Sequence, residues 1–321
     1  MLKKYFSALV IILISGSFLL FFCAELSTYY TNQIEQKALE ASLSSKDNWV
    51  VPSVVGSSMG LDKVFSLKDI KGDHRLISMG TSMSLAGIVD SHLDRIHINA
   101  STGSMSIQTL FVMKSYLDTL GIEVQENDVV KIDLSPLMFT KKALSIEVLV
   151  SALSYQDIYT VEEDLSVHRN LLSPIAEFYG LKSKAIEKAF TTFKTIIETG
   201  SVDALFETSP HSFENTEKFL DFTQNNTALL EALLMSYEGK NLVVDLMFMH
   251  PDLQSSIAAQ QFNTYVDERL IPFLSVNGIA YLDHRVTYTL SDFADSTHLN
   301  GKARLKYTSL IESELKELGY E

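Results

Sequence analysis

Leu76-Ile77-Ser78-Met79-Gly80-Thr81-Ser82-Met83-Ser84 (LISMGTSMS) decides how this chain is read. An apolar run ends in a small, turn-prone Gly80-Thr81-Ser82, and LAGIVDSHL after it has helical spacing. A strand followed at once by a helix delivers the intervening turn to the carboxyl edge of a sheet, where α/β proteins hold ligands. A serine there is placed to act as a nucleophile. More than two hundred residues later comes Asp295-Ser296-Thr297-His298-Leu299-Asn300. An acid three residues before a histidine lets one short turn present both side chains to one point. Ser82, His298 and Asp295 therefore read as a hydrolase-type triad.

Working outward, the same strand–helix alternation fills the chain from residue 73. RIHINAS is a second strand, and SIQTLFVMKSYLDTL is a helix capped by Gly121. NDVVKIDLSPLMF is a third strand, apolar enough to be buried on both faces. NLVVDLMFMHPDL is a fourth strand, SSIAAQQFNTYVDERLIPFLSVNG a helix, IAYLDHRVTY a fifth strand, and KARLKYTSLIESELKEL a closing helix. The expected fold is α/β, a doubly wound, mostly parallel sheet with helices on both faces. Residues about 145–239 have helical periodicity instead and read as a helical insertion, either walling or covering the site or serving as a purely structural excursion.

The N-terminus carries a different signal. From Tyr5 to Leu26 the only charge is Glu25, and a run of about 20 apolar residues spans a bilayer core as a helix. Lys3 and Lys4 precede it and no Lys or Arg follows until Lys37, so the N-terminus is expected in the cytoplasm and the rest outside. The run is long for a cleaved signal peptide, and no A-x-A-like site follows it. Residues 1–26 are thus expected to be a transmembrane anchor, 27–72 a connector that includes Trp49, and 73–321 the α/β domain. Cys23 is the only cysteine, so the domain has no disulfide of its own. With 26 Lys and Arg against 40 Asp and Glu the net charge is −14, which argues against a nucleic-acid partner. The histidines and their neighbouring acids do not reproduce a zinc-site spacing, so neither metal nor cofactor is expected. His250, at the end of the fourth strand, is a candidate to line the site. Asp133 can serve the site or balance a turn, and the turn is the preferred reading.

The arrangement resembles the SGNH/GDSL hydrolase superfamily over about residues 73–320. Gly80-Thr81-Ser82 stands where that superfamily has a G-D-S-like turn. NASTGSMS places Gly103 where the second block carries an oxyanion-hole glycine, and Asp295-x-x-His298 with Leu299-Asn300 matches the last block. The third-block Asn is absent, and DLSPLMF stands in its place. The resemblance implies an oxyanion hole built from Ser82 and Gly103, with Met83 and Ser135 as further candidates. The anchor, the G-T-S turn, Leu134-Ser135-Pro136-Leu137-Met138-Phe139 and the insertion look like the DltD-type subgroup. That resemblance implies an extracytoplasmic serine acyltransferase or esterase acting on O-acyl groups of a cell-envelope polymer or glycan. It also implies a membrane-bound O-acyltransferase as partner. A carbohydrate deacetylase would share every catalytic residue. A silent scaffold that binds the acyltransferase would fit the missing Asn but not the intact triad.

Overall fold

The computed structural model describes residues 14–27, 29, 72, 74–101, 105–119, 121–140, 159–162, 166–169, scattered helical positions between 186 and 198, 222–223 and 226–320. Much of the 27–72 connector and of the 145–239 block, with Trp49 and Gly103, lies outside the described residues.

Five strands make one all-parallel sheet in the order β2-β1-β3-β6-β7. They are β1 (Leu76–Met79), β2 (His97–Asn99), β3 (Val129–Leu134), β6 (Asn241–Leu246) and β7 (Ala280–Asp283). Parallel neighbours need a crossover, and right-handed crossovers alternate the faces on which helices land. Alternation along each strand accordingly feeds two separate cores. Ile77, Val130, Ile132, Leu134, Val244 and Leu246 point into one. Against them pack α2 (Ile107–Thr119), α3 (Thr227–Met235), α5 (Ile257–Tyr265) and α6 (Ile271–Val276). Leu76, Val129, Val243 and Leu282 point into the other, beneath α1 (Ser82–Gly87) and the long C-terminal α7 (Gly301–Glu317).

The chain leaves β1 for β2 at the edge, then returns past β1 to β3. The order therefore reverses between β1 and β3, and the crevice at their carboxyl ends is where ligands of open α/β sheets bind. Ser82 follows β1 there, and Ser135 follows β3.

Several elements differ from their sequence expectation. The helix expected to reach residue 93 ends at Gly87; Ile88 and Val89 are extended and Asp90–His92 is a single 3-10 turn. The third strand stops at Leu134 because Pro136 has no N–H for the ladder, and Pro136–Phe139 forms a 3-10 turn. Inside the 145–239 block, described by helical periodicity alone, two strands form an antiparallel ribbon, β4 (Tyr159–Val161) with β5 (Val167–Arg169). The end of that block, α3, places Leu230, Leu233 and Leu234 in the main core, so it belongs to the crossover into β6. Residues 14–27 are helical, but among the described residues no helix is long and apolar enough to cross a membrane.

Candidate active site

The turn that carries Ser82 leaves no room for a side chain at Gly80. Gly80 closes β1 at a point where a Cβ would lie 2.7 Å from the Asp133 Cβ and 2.8 Å from the Ser84 Cβ. Any larger residue would push the turn off β3. Thr81 then caps α1, its Oγ1 accepting from the Met83 N–H at 3.4 Å. Ser82 is therefore the first helical residue, half-buried at the sheet edge.

The second half of the site is a rigid loop before α7. Phe293 and Leu299 form a β-bridge, and the Ala294 N–H donates to the His298 carbonyl at 2.9 Å. Asn300 closes the loop by capping α7, accepting from the Ala303 N–H at 3.0 Å while its amide donates to the Ser291 carbonyl at 2.8 Å. Within the loop the Asp295 carboxylate accepts from the N–H groups of Thr297 and His298, both at 2.8 Å. It also meets His298 Nδ1 at 2.9 Å. Burial alone would raise the Asp295 carboxyl. The hydrogen bond and charge of His298, together with those two N–H groups, outweigh burial and hold it down to about 2. Asp295 is thus a fixed anion behind the imidazole. On the other side, His298 Nε2 lies 2.9 Å from Ser82 Oγ.

Ser82, His298 and Asp295 are therefore in one hydrogen-bonded line. With Asp295 ionised, His298 Nδ1 carries the proton and Nε2 is free to accept from the serine. A hydroxyl so placed can lose its proton as it attacks a carbonyl carbon.

The remaining sequence candidates fall unequally. Met83 and Ser135 line a small cavity beside the triad, together with His250 and Thr297. Ser135 Oγ is buried with no hydrogen-bond partner. His250 caps the short helix α4 (Pro251–Gln254), accepting from the Asp252 N–H at 3.2 Å, and stacks edge-on against Phe293 at 4.8 Å. Its burial lowers the imidazole pKa, so it is neutral at pH 7. Gly103 lies outside the described residues. Among the described residues no group of three or more His, Cys, Asp or Glu could hold a metal ion.

Asp133 does not balance a turn. It belongs to a buried polar chain under the Ser82 turn that sequence reading missed. Ser84 Oγ donates to Asp133 and meets Ser101 Oγ at 2.7 Å, tying α1 to the ends of β3 and β2. Lys131 donates to Asp133, to Asp245 at 3.0 Å and to the Tyr307 hydroxyl at 3.0 Å. Asp245 meets His284 Nδ1 at 2.7 Å, and His284 Nε2 reaches Glu314 at 2.9 Å. Asp133 and Asp245 are direct cross-strand partners, so two like charges oppose each other with one ammonium between them. Asp245, held also by His284 and the Tyr307 hydroxyl, is pushed down despite its burial. Asp133 is pushed up to about 6, chiefly by burial and further by the Asp245 charge. The signal was present: Lys131, Asp133 and Asp245 interrupt otherwise apolar strands.

A second serine–histidine–aspartate line also exists. His97 Nε2 lies 2.9 Å from Ser78 Oγ and its Nδ1 lies 2.7 Å from Asp90. Ser78 is in mid-strand and fully buried, out of reach of any substrate, so this line braces β1 against β2.

No protein-family model matches the chain, and no curated protein matches it. What the chain can do therefore rests on its own residues.

Proposed function

We propose that this chain is a membrane-anchored, extracytoplasmic serine acyltransferase or esterase of SGNH type. It acts on O-acyl groups of a cell-envelope polymer or glycan. The observation that carries the reading is the line Ser82–His298–Asp295, with contacts of 2.9 Å on both sides of the imidazole, at the carboxyl edge next to the strand-order reversal. Ser82 Oγ attacks the acyl carbonyl carbon while His298 Nε2 takes its proton. Asp295 stabilises the imidazolium that results. Collapse of the tetrahedral species breaks the bond to the leaving group, which receives the proton from His298, and leaves the acyl group on Ser82. A polymer hydroxyl or water then repeats the sequence in reverse. The developing oxyanion needs donors, each worth about 3–4 kcal/mol in such sites. The Ser135 hydroxyl, buried and unpartnered, suits that role alongside backbone N–H groups of the Ser82 turn.

Anchorage is supported by the 14–27 helix. Ile14, Phe18, Leu19, Phe21, Phe22 and Leu26 are all exposed on it, large apolar side chains that suit lipid better than water. A membrane-bound O-acyltransferase is the partner such an anchor suits, as donor of the acyl group.

The test is intact-mass analysis of the purified chain after a serine-directed fluorophosphonate, with Ser82→Ala and His298→Ala alongside. One adduct on Ser82 in the wild type, and none in either variant, is the expected result. No adduct under conditions that label a control esterase would refute an activated nucleophile.

A further inference from the structure

Ser82 opens a helix of only 6 residues, and a helix that short has little stiffness of its own. Its rotation is set by what grips it. Residues two apart on a helix point to opposite sides, so Ser82 stands at the open edge while Ser84 is fully buried against the sheet. Ser84 Oγ donates to the Asp133 carboxylate of β3 and meets Ser101 Oγ, just past β2, at 2.7 Å. A hydroxyl has one proton, and that of Ser84 goes to Asp133, so Ser101 donates to Ser84. The bonds thus run one way, from Ser101 to Ser84 to Asp133. At the end of β2 the Asn99 amide grips the same helix, donating to the Leu85 carbonyl at 3.2 Å. Gly80 lets the turn sit directly on Asp133 and Ser84, with no space for a methyl between.

The groups around Asp133 decide how firmly it holds. Lys131 donates to it from the same strand, and Asp245 opposes it from β6. Tyr307 of α7 and His284, just after β7, both bind Asp245. Burial and the Asp245 charge lift Asp133 against the pull of Lys131 and Ser84, so that it ionises at about 6. Above that, Ser84 donates to a carboxylate, a charge-assisted bond roughly twice as strong as a neutral one. Below it the carboxyl proton is given to Ser84 Oγ, Ser84 turns its own proton to Ser101, and both contacts are neutral. Ser84, Ser101 and Asp133 are each exposed by 1% or less, so none of them touches a substrate.

Resting on the serine acyltransferase or esterase reading above, we propose that Ser84 and Asp133 are positioning residues. Their buried hydrogen bond locks the first turn of α1 so that Ser82 Oγ stays in line with His298 Nε2. The grip tightens as Asp133 gives up its proton, and the reactivity of Ser82 rises with it. The effect falls on the alignment of attack, and so on the chemical step rather than on substrate binding.

The experiment measures how fast a fluorophosphonate labels Ser82 in the full-length chain between pH 5 and 8, for the wild type, Ser84→Ala, Asp133→Asn and the double variant. Thermal melts at each pH check that all four are folded. Dividing the wild-type rate by each variant's removes the titration of every group they share. At pH 8 each single variant should label about tenfold more slowly than the wild type. That deficit should shrink to about twofold at pH 5, where wild-type Asp133 is itself protonated. The double variant should label no more slowly than Ser84→Ala, because the two residues act through one bond. Ser84→Ala removes a single oxygen, so it decides the matter alone if Asp133→Asn does not fold. Labelling of Ser84→Ala at the wild-type rate, a deficit that does not change with pH, or single effects that multiply in the double variant would each overturn the positioning role and leave Ser82 standing as the nucleophile. No labelling of the wild type, where a control esterase is labelled, overturns the nucleophile and the positioning role with it.

Discussion

His284 is the group through which pH should act on the fold. It is almost fully buried beneath α7, its two ring nitrogens against Asp245 at 2.7 Å and Glu314 at 2.9 Å. A ring with carboxylates on both nitrogens must donate from both, which only the imidazolium can do. Burial opposes that charge, and the Lys131 ammonium opposes it further. The charges of Asp245 and Glu314 and the Asp245 hydrogen bond prevail, lifting the pKa from 6.5 to about 9. Each pH unit of that rise is worth about 1.4 kcal/mol, so the protonated ring stabilises the fold by about 3 kcal/mol. The folded value is the raised one. The contribution is therefore complete below pH 6.5, where the unfolded chain is protonated too, and is lost as pH climbs through about 9. Asp133 and the tyrosines beside His284 stay outside that window. Asp133 ionises near 6, and burial keeps Tyr288 and Tyr307 protonated well above it. For a domain of this size about 1 kcal/mol shifts Tm by about 2–4 °C, so the wild type should lose roughly 6–12 °C between pH 6.5 and 9.5. Thermal melts of the full-length chain in half-unit steps would measure it, with His284→Gln as comparison. The variant starts less stable at pH 6.5 and converges on the wild type as pH rises. Parallel curves for the two proteins would refute the assignment, because every other titrating group is common to both.

Three further outcomes follow from the geometry. Lys131→Met leaves Asp133 and Asp245 opposed with no ammonium between them, and should cost about 3–5 kcal/mol by chemical denaturation. Adding Asp133→Asn should recover part of that loss. Gly80→Ala drives a Cβ into Asp133 and Ser84 and should cost about 1–3 kcal/mol of overpacking. Its fluorophosphonate labelling of Ser82 should fall by more than its Tm change accounts for, since the displaced turn is the one that aims the nucleophile. Asp295→Asn keeps the shape of the loop but no longer fixes the proton on His298 Nδ1, and should slow labelling by roughly 10⁴-fold. As pH falls from about 4 to 2, where the depressed Asp295 carboxyl takes up its proton, the wild type should also lose about 2 kcal/mol more than the variant.

The sheet was legible because a buried parallel strand has little choice of residue. Leu76–Met79, Val129–Leu134 and Asn241–Leu246 are apolar runs bounded by Gly, Pro or polar turns, and pattern alone finds them. Elements that depend on one backbone group were less so. The helix after β6 reads as continuous from residue 255 to 278, yet Val266–Leu270 widens to a π-turn between α5 and α6. Pro272 explains it: a proline in a helix has no N–H to give and its ring crowds the carbonyl four residues back, at Glu268. The β4–β5 ribbon escaped because three-residue strands are too short for alternation to register. The hydrogen-bonded line Ser82–His298–Asp295 was legible in outline, since Asp-x-x-His and a serine after the first strand are both local patterns. Which of two serine–histidine–aspartate lines faces solvent was not, because only burial separates Ser82 from Ser78.

The polar chain beneath the site shows why the rest could not be read. Its members come from α1, β3, β6, the end of β7 and α7, up to 230 positions apart, and none sits in a motif. What joins them is register. The pairing of β3 with β6 sets Asp133 against Asp245, and two-residue periodicity puts Lys131 on the same face, beneath Tyr307 of α7. A slip of one residue in that pairing would turn one strand over, carrying either Lys131 and Asp133 or Asp245 into the apolar core on the opposite face of the sheet. Such a slip would carry a prohibitive desolvation penalty. The buried charges thus specify the register that the apolar residues of β3 and β6, all of similar shape, leave open. Register in turn fixes where β3 ends, and so where Asp133 holds Ser84 and where Ser135 faces the cavity. On this argument Lys131 and its partners govern the site through placement alone, without touching a substrate.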